Sequence, residues 1–145
     1  MRNRRAHEVA PDVFVLTSSK FATTSTIVRR GNAAMLVDPA WTTTELDDIV
    51  DWLHERGCRV TAGFCTHAHH DHMLWHPVFG DAPRWASRRS LLADRGVMLA
   101  GDMLSDIELP LPFTTDDLPA YLGALDQLAS VVASAAVLVP GHGRP

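Results

Sequence analysis

The sequence predicts an α/β sandwich, and three observations carry that expectation. Short runs rich in β-branched and aromatic residues alternate with segments whose apolar residues recur at helical spacing. Three of the apolar runs end in residues that can hold a cation: His67 to His72, Asp102 and His142. Open α/β sheets place their sites at the C-terminal ends of strands, and this repeated placement has that form. The length of 145 residues suits a single domain spanning 1–145, because domains most often hold roughly 100–150 residues around one core.

The elements follow in order. Asp12 to Ser18 (Asp-Val-Phe-Val-Leu-Thr-Ser) reads as a strand. Thr24 to Arg30 and Ala33 to Val37 flank Gly31-Asn32, a two-residue turn suited to a hairpin. Asp38-Pro39 ends the second of these strands, since proline lacks a ladder donor and pushes the residue before it out of helical space. A helix is expected over Thr44 to Arg56. Threonines stand at its start, Gly57 follows its end, and Leu46, Ile49, Val50 and Leu53 form one apolar stripe. Glu45, Asp47 and Asp48 occupy its first turn, where the helix dipole favours acidic groups. Arg59 to Cys65 is a short strand, and the histidine run begins where it ends.

The second half repeats this logic. Val97 to Ala100 is an apolar strand ending at Gly101-Asp102. Asp116 to Ala133 is a helix with Leu118, Leu122, Leu125 and Val132 on one face. Ala136 to Val139 is a strand ending at Pro140-Gly141-His142-Gly143.

Composition removes several classes of function. The chain is 46% hydrophobic and 21% charged with a net charge of -4, which gives no electrostatic case for nucleic acid or an anionic membrane as partner. No run approaches the about 20 apolar residues of a membrane span. The N-terminal arginines are followed by His7, Glu8, Pro11 and Asp12 rather than an apolar stretch, so no secretory signal is expected and the cytoplasm is the expected location. Cys58 and Cys65 are expected to be reduced side chains rather than a disulfide. A small-molecule substrate is the expected partner, and oligomeric state is left open.

Imidazole nitrogens and carboxylate oxygens are the usual ligands of Zn²⁺ and similar divalent ions. A lone histidine is more often structural, but five such side chains within the six positions from His67 to His72 reverse that expectation. In a loop leaving a strand, His67 and His69 can converge on one ion, while Asp71 and His72 can address a second. His70 breaks the pairing and is expected to face solvent or the surroundings of the site.

The run Thr66-His67-Ala68-His69-His70-Asp71-His72 resembles the His-x-His-x-Asp-His signature of the metallo-β-lactamase superfamily. Gly101-Asp102 after an apolar strand resembles that family's later Gly-Asp motif, and Val139-Pro140-Gly141-His142-Gly143 its last metal-binding motif. The order of elements is similar over nearly the whole chain. The resemblance implies an αββα four-layer sandwich, here shortened, and a metal-dependent hydrolase in which a metal-bound hydroxide attacks the substrate. It implies that His67 and His69 bind metal 1, that Asp71, His72 and His142 bind metal 2, and that Asp102 bridges both. Asp71 would also align the hydroxide as the catalytic carboxylate, and Asp38 would orient ligand imidazoles from behind. Zinc, at one or two ions per chain, is the expected metal; iron or manganese suits the same ligand set. An ester, thioester, lactone or related bond of a small intracellular compound is the expected substrate. The alternatives are a degenerate, non-catalytic member holding one metal or a small ligand, and a phosphodiesterase or nuclease.

The resemblance departs in one place. Family members carry a further histidine between the first motif and the Gly-Asp, as the third imidazole on metal 1. Here only 30 positions separate His72 from Asp102, and His76, in a Trp-His-Pro context, is the sole histidine among them. His76 is not expected to substitute. Two readings stay open: a segment missing between about Ser87 and Val97, or a reduced member with a weakened metal 1. The chain also ends directly after the last motif, where family members commonly continue into a helix.

Overall fold

The structure is a computed structural model that describes residues 5–67, 70–86, 90–92, 96–105, 107, 122–123, 125–126, 129 and 132–144. Among these, β1 (His7–Ala10), β2 (Val13–Thr17), β3 (Thr24–Arg30) and β4 (Ala33–Val37) run antiparallel to one another. Helix α1 (Thr43–Glu55) crosses over to β5 (Arg59–Cys65), which lies parallel to β4. Helix α2 (His70–Met73) and a 3₁₀ turn (Pro77–Phe79) lead to β6 (Arg84–Ala86), parallel to β5, completing a sheet in chain order. A second sheet holds β7 (Ser90–Leu92), β8 (Val97–Ser105) and β9 (Val137–His142), with β8 in the middle and parallel to β9.

Period-two alternation in the central strands builds two cores. Phe14, Ile27 and Leu36 sit opposite one another across β2, β3 and β4. With Leu16 they face α1, meeting Leu46, Ile49, Trp52 and Leu53. The intervening residues Val13, Val15 and Val37 face the second sheet and meet Val97, Leu99 and Val139. A one-residue slip would exchange these faces and expose each set, so the register is firmly specified. Burial of each such side chain is worth about 1.5–3 kcal/mol. The result is a helix layer on one sheet and that sheet on a second.

Helix α1 starts one residue before the expected position and carries a capping box. The Thr42 hydroxyl accepts from the Glu45 amide, and the Glu45 carboxylate accepts from the Thr42 amide. The other Glu45 oxygen accepts from the Ser18 hydroxyl at 2.7 Å, tying the helix start to the end of β2.

Several expectations change. β8 does not end at Asp102 but continues to Ser105, and β9 includes His142 rather than stopping before it. The pairing of β8 with β9 shifts register on both sides of Gly101, whose φ is +55°, so the strand turns there and resumes. β1, α2, β6 and β7 were not expected: each has three or four residues, too few for a periodic pattern to show. In the expected helix from Asp116 to Ala133, residues 122, 123, 125, 126, 129 and 132 are helical, Ala133 is already a turn residue, and the rest lie outside the described residues.

Candidate metal centre

The site forms where β4, β5, β8 and β9 end or bend together. Asp38 leaves β4 with φ +47° and directs its carboxylate across to the end of β5. Its Oδ1 accepts from the Thr66 amide at 2.8 Å and its Oδ2 from the Thr66 hydroxyl at 2.6 Å. The Nδ1 of His72 lies 3.1 Å from the same Oδ2. Next to it, the Thr66 oxygen is 3.1 Å from Nδ1 of His67. On the far side, Nδ1 of His142 is 2.8 Å from the carbonyl oxygen of Phe21 and 3.4 Å from the Thr23 hydroxyl.

These partners assign the tautomers. A carbonyl oxygen only accepts, so a His142 ring bound to Phe21 carries a proton on Nδ1. The Thr66 hydroxyl donates its one proton to Asp38, so His67 also donates from Nδ1. In each neutral ring the remaining lone pair is on Nε2. All three Nε2 atoms turn to Asp102: His67 Nε2 is 3.0 Å from Oδ2, while His72 and His142 Nε2 are 3.5 and 3.4 Å from Oδ1. Ligand atoms of His67, His72 and Asp102 lie within 4.8 Å of one another.

Lone pairs facing a carboxylate repel it unless positive charge stands between them. Imidazolium protons would do this. One or two divalent ions supply the charge to the same donors, so the residues fit a metal by their chemistry as well as their spacing. Protonated rings would act on Asp102 in the metal-free chain: burial pushes its carboxyl up, while a hydrogen bond from His67 and the positive charge of His67, His72 and His142 outweigh burial and hold it below the usual carboxylate range.

Two glycines make this approach possible. A Cβ on Gly141 would fall on Asp102 Oδ1 and lie 2.7 Å from the Gly101 carbonyl carbon. One on Gly101 would lie 2.8 Å from the Thr66 hydroxyl, besides straining the left-handed backbone there.

The structure thus brings together His67, His72, Asp102, His142 and Asp38. His69 lies outside the described residues. The backbones of His70 and Asp71 belong to α2, and their side chains lie outside the described residues. His76 is directed elsewhere: Nδ1 accepts from the Val78 amide, capping the 3₁₀ turn, and Nε2 is 3.4 Å from Asp47. Cys65 and Cys58 are both free thiols. The Cys65 sulfur is 2.6 Å from the His67 carbonyl oxygen and 3.4 Å from that of His72, bracing the backbone of the histidine run.

Sequence reading did not single out Phe21, Thr23 or the Thr66 hydroxyl. Phe21 acts through its backbone carbonyl, which no side-chain pattern reveals. The loop holding it is closed by Gly143 donating to Ala22 and by the Thr24 hydroxyl donating to the Pro140 carbonyl. Beside His72, a cavity of about 470 Å³ is walled by Trp75, Trp85, Arg84 and Met73. No described helix is long and apolar enough to cross a membrane.

The sequence profile of the metallo-beta-lactamase superfamily matches residues 19–92. Solved metallo-β-lactamases share the fold. VMB-1 superposes with a TM-score of 0.77 at 14% identity, over 99% of this chain and 91% of its own. A metallo-β-lactamase from Erythrobacter litoralis gives 0.73 at 18% identity, over 100% and 88%. FIM-1 from Pseudomonas aeruginosa, in a mono-zinc form, gives 0.70 at 18% identity, over 97% and 88%. None of the curated proteins matches the chain by sequence.

Proposed function

The chain belongs to the metallo-β-lactamase superfamily, and from that premise we propose that it is a metal-dependent hydrolase of a small ester, thioester, lactone or related compound. One observation carries the reading: the Nε2 atoms of three imidazoles converge on the Asp102 carboxylate. His67, His72, His142 and Asp102 would hold the ion or ions, with His69 and Asp71 as further ligands from the same run. Zinc suits this donor set, and FIM-1 is solved in a mono-zinc form. When bound, the metal supplies Lewis acidity, bringing the pKa of bound water down towards about 7 and polarising the scissile group.

The chain's own residues supply the rest. Asp38 holds the His72 ring and the start of the histidine run in one orientation, and the Phe21 carbonyl does the same for His142. Asp102 places negative charge between the imidazoles. Asp71 would align the attacking water as the catalytic carboxylate.

The test is hydrolysis of a panel of aryl esters, thioesters, lactones, β-lactams and phosphodiesters. The reading expects turnover of a carboxylic ester or thioester, lost with chelator and restored by zinc. Turnover confined to phosphodiesters would replace the substrate class. Absence of chelator-sensitive turnover in a metal-loaded protein would leave a non-catalytic metal binder.

A further inference from the structure

Phe21 and Ala22 follow one another in the left-handed region, with φ of +53° and +49°. This backbone presses Cβ against the next carbonyl oxygen, a penalty worth about 5–30-fold in population for each residue other than glycine. A loop with such a need ordinarily carries glycine, yet this one reads Ser18-Ser19-Lys20-Phe21-Ala22-Thr23. Conformations of this kind persist where surrounding contacts hold them, and they gather at functional sites.

The contacts that hold this pair reach β9. The Phe21 carbonyl is 2.8 Å from Nδ1 of His142, and the Ala22 carbonyl accepts from the Gly143 amide at 2.9 Å. Thr23 forms an antiparallel bridge with His142, and the Thr24 hydroxyl donates to the Pro140 carbonyl. Within the loop, the Ser18 amide donates to the Thr23 carbonyl at 2.8 Å and the Thr23 amide to the Lys20 carbonyl at 3.3 Å. Successive carbonyls of an extended chain point to opposite sides, whereas those of one helical hand point the same way. The left-handed pair therefore lets two adjacent carbonyls grip the same strand.

We infer that Phe21-Ala22 is a strained clamp on His142, and that Ala22 is a positioning residue. The Phe21 carbonyl lies in the rigid peptide plane between the two residues, so φ of Ala22 sets its direction towards the ring. Ala22 thus governs how steadily His142 offers Nε2, although its own side chain is a methyl with no donor atom. The strain belongs to the metal-free chain; the positioning role rests on the metal reading above. By linkage, an ion on His142 tightens the clamp by the same factor as the clamp strengthens the ion.

Two substitutions at one position, made in the full chain, test the clamp with opposite signs. Ala22→Gly should raise the urea midpoint of the metal-free protein, although alanine to glycine ordinarily lowers it. It should bind zinc at least as tightly as wild type, read by competition with a chromophoric chelator. Ala22→Val, whose branched side chain resists the left-handed region, should lower the midpoint. It should also weaken zinc binding several-fold, up to the about 10–100-fold typical of losing a ligand's outer partner. Because Ala22→Val can fail to fold, hydrogen exchange in wild type supplies a second readout. Zinc should slow exchange of the Gly143 amide more than that of the Arg29 amide, which donates to Asp12 at the far end of β3. A midpoint lowered by Ala22→Gly, unchanged zinc affinity in folded Ala22→Val, or equal slowing at both amides overturns the clamp and leaves the metal reading standing. A folded chain that takes up no zinc overturns the positioning role together with the metal reading, while the midpoints still decide the strain.

Discussion

Asp38 and His72 meet across two strands, with Asp38 Oδ2 3.1 Å from a His72 Nδ1 that is fully buried. The same carboxylate accepts from the Thr66 amide and hydroxyl, so one side chain fixes the start of the histidine run and stands beside one of its rings. Asp38→Asn keeps the volume but turns an acceptor-only group into one that also donates. It should lower zinc affinity about 10–100-fold while the fold persists. Competition with a chromophoric chelator, read beside circular dichroism, measures the two effects separately. Unchanged affinity would mean that the His72 ring does not depend on Asp38.

Gly141→Ala should displace Asp102. The added methyl overlaps Asp102 Oδ1 and crowds the Gly101–Asp102 backbone, both inside the second sheet. The expected cost is about 1–3 kcal/mol of stability, as for overpacking elsewhere, together with loss of bound zinc. Gly123→Ala, with nothing among the described residues within 4 Å of its Cβ, should alter neither. Urea midpoints and zinc content per chain separate the two variants.

The capping box is structural and should behave so. Thr42→Ala removes the acceptor for the Glu45 amide and should destabilise the protein by about 0.5–2 kcal/mol. Zinc content and any hydrolytic rate should remain at wild-type values. A loss of zinc in a folded Thr42→Ala protein would show that α1 positions the site more directly than its contacts indicate.

Acid stability should report on Asp102 in the metal-free chain. Its folded carboxyl titrates below the ordinary value, opposed by burial but held down by the His67 hydrogen bond and by His67, His72 and His142. A depressed carboxyl stabilises the fold above the unfolded value, about 3.9, and loses that contribution as pH falls through its lower folded value. Wild type should therefore exceed Asp102→Asn in urea midpoint near pH 5, and the gap should narrow as pH falls below the ordinary carboxylate value. A gap that widens in acid would contradict the stated direction.

Much of this architecture is written locally. The strands around Gly31-Asn32 and the stripe of Leu46, Ile49 and Leu53 are periodic enough to fix β3, β4 and α1 closely. β6 was not legible because Arg84 to Ala86 becomes a strand only by pairing with Gly63 to Cys65. Asp102 was readable as a site residue but not as part of a continuing strand, since that depends on the bulge at Gly101 and its pairing with β9. The ligand-type side chains announce themselves by their chemistry. The groups that orient them announce themselves less, because the Phe21 carbonyl and the Thr66 hydroxyl carry no motif of their own and acquire a role only when β3, β5 and β9 are brought together.

The most direct test of the metal account is elemental analysis of the full chain after gel filtration, for wild type and for the paired variant His72→Ala, His142→Ala. At least one equivalent of transition metal per wild-type chain is expected, lost in the paired variant and removable by chelator with a fall in melting temperature. A folded wild-type protein that carries no metal, takes up none on zinc addition, and melts at the same temperature with or without chelator would contradict it.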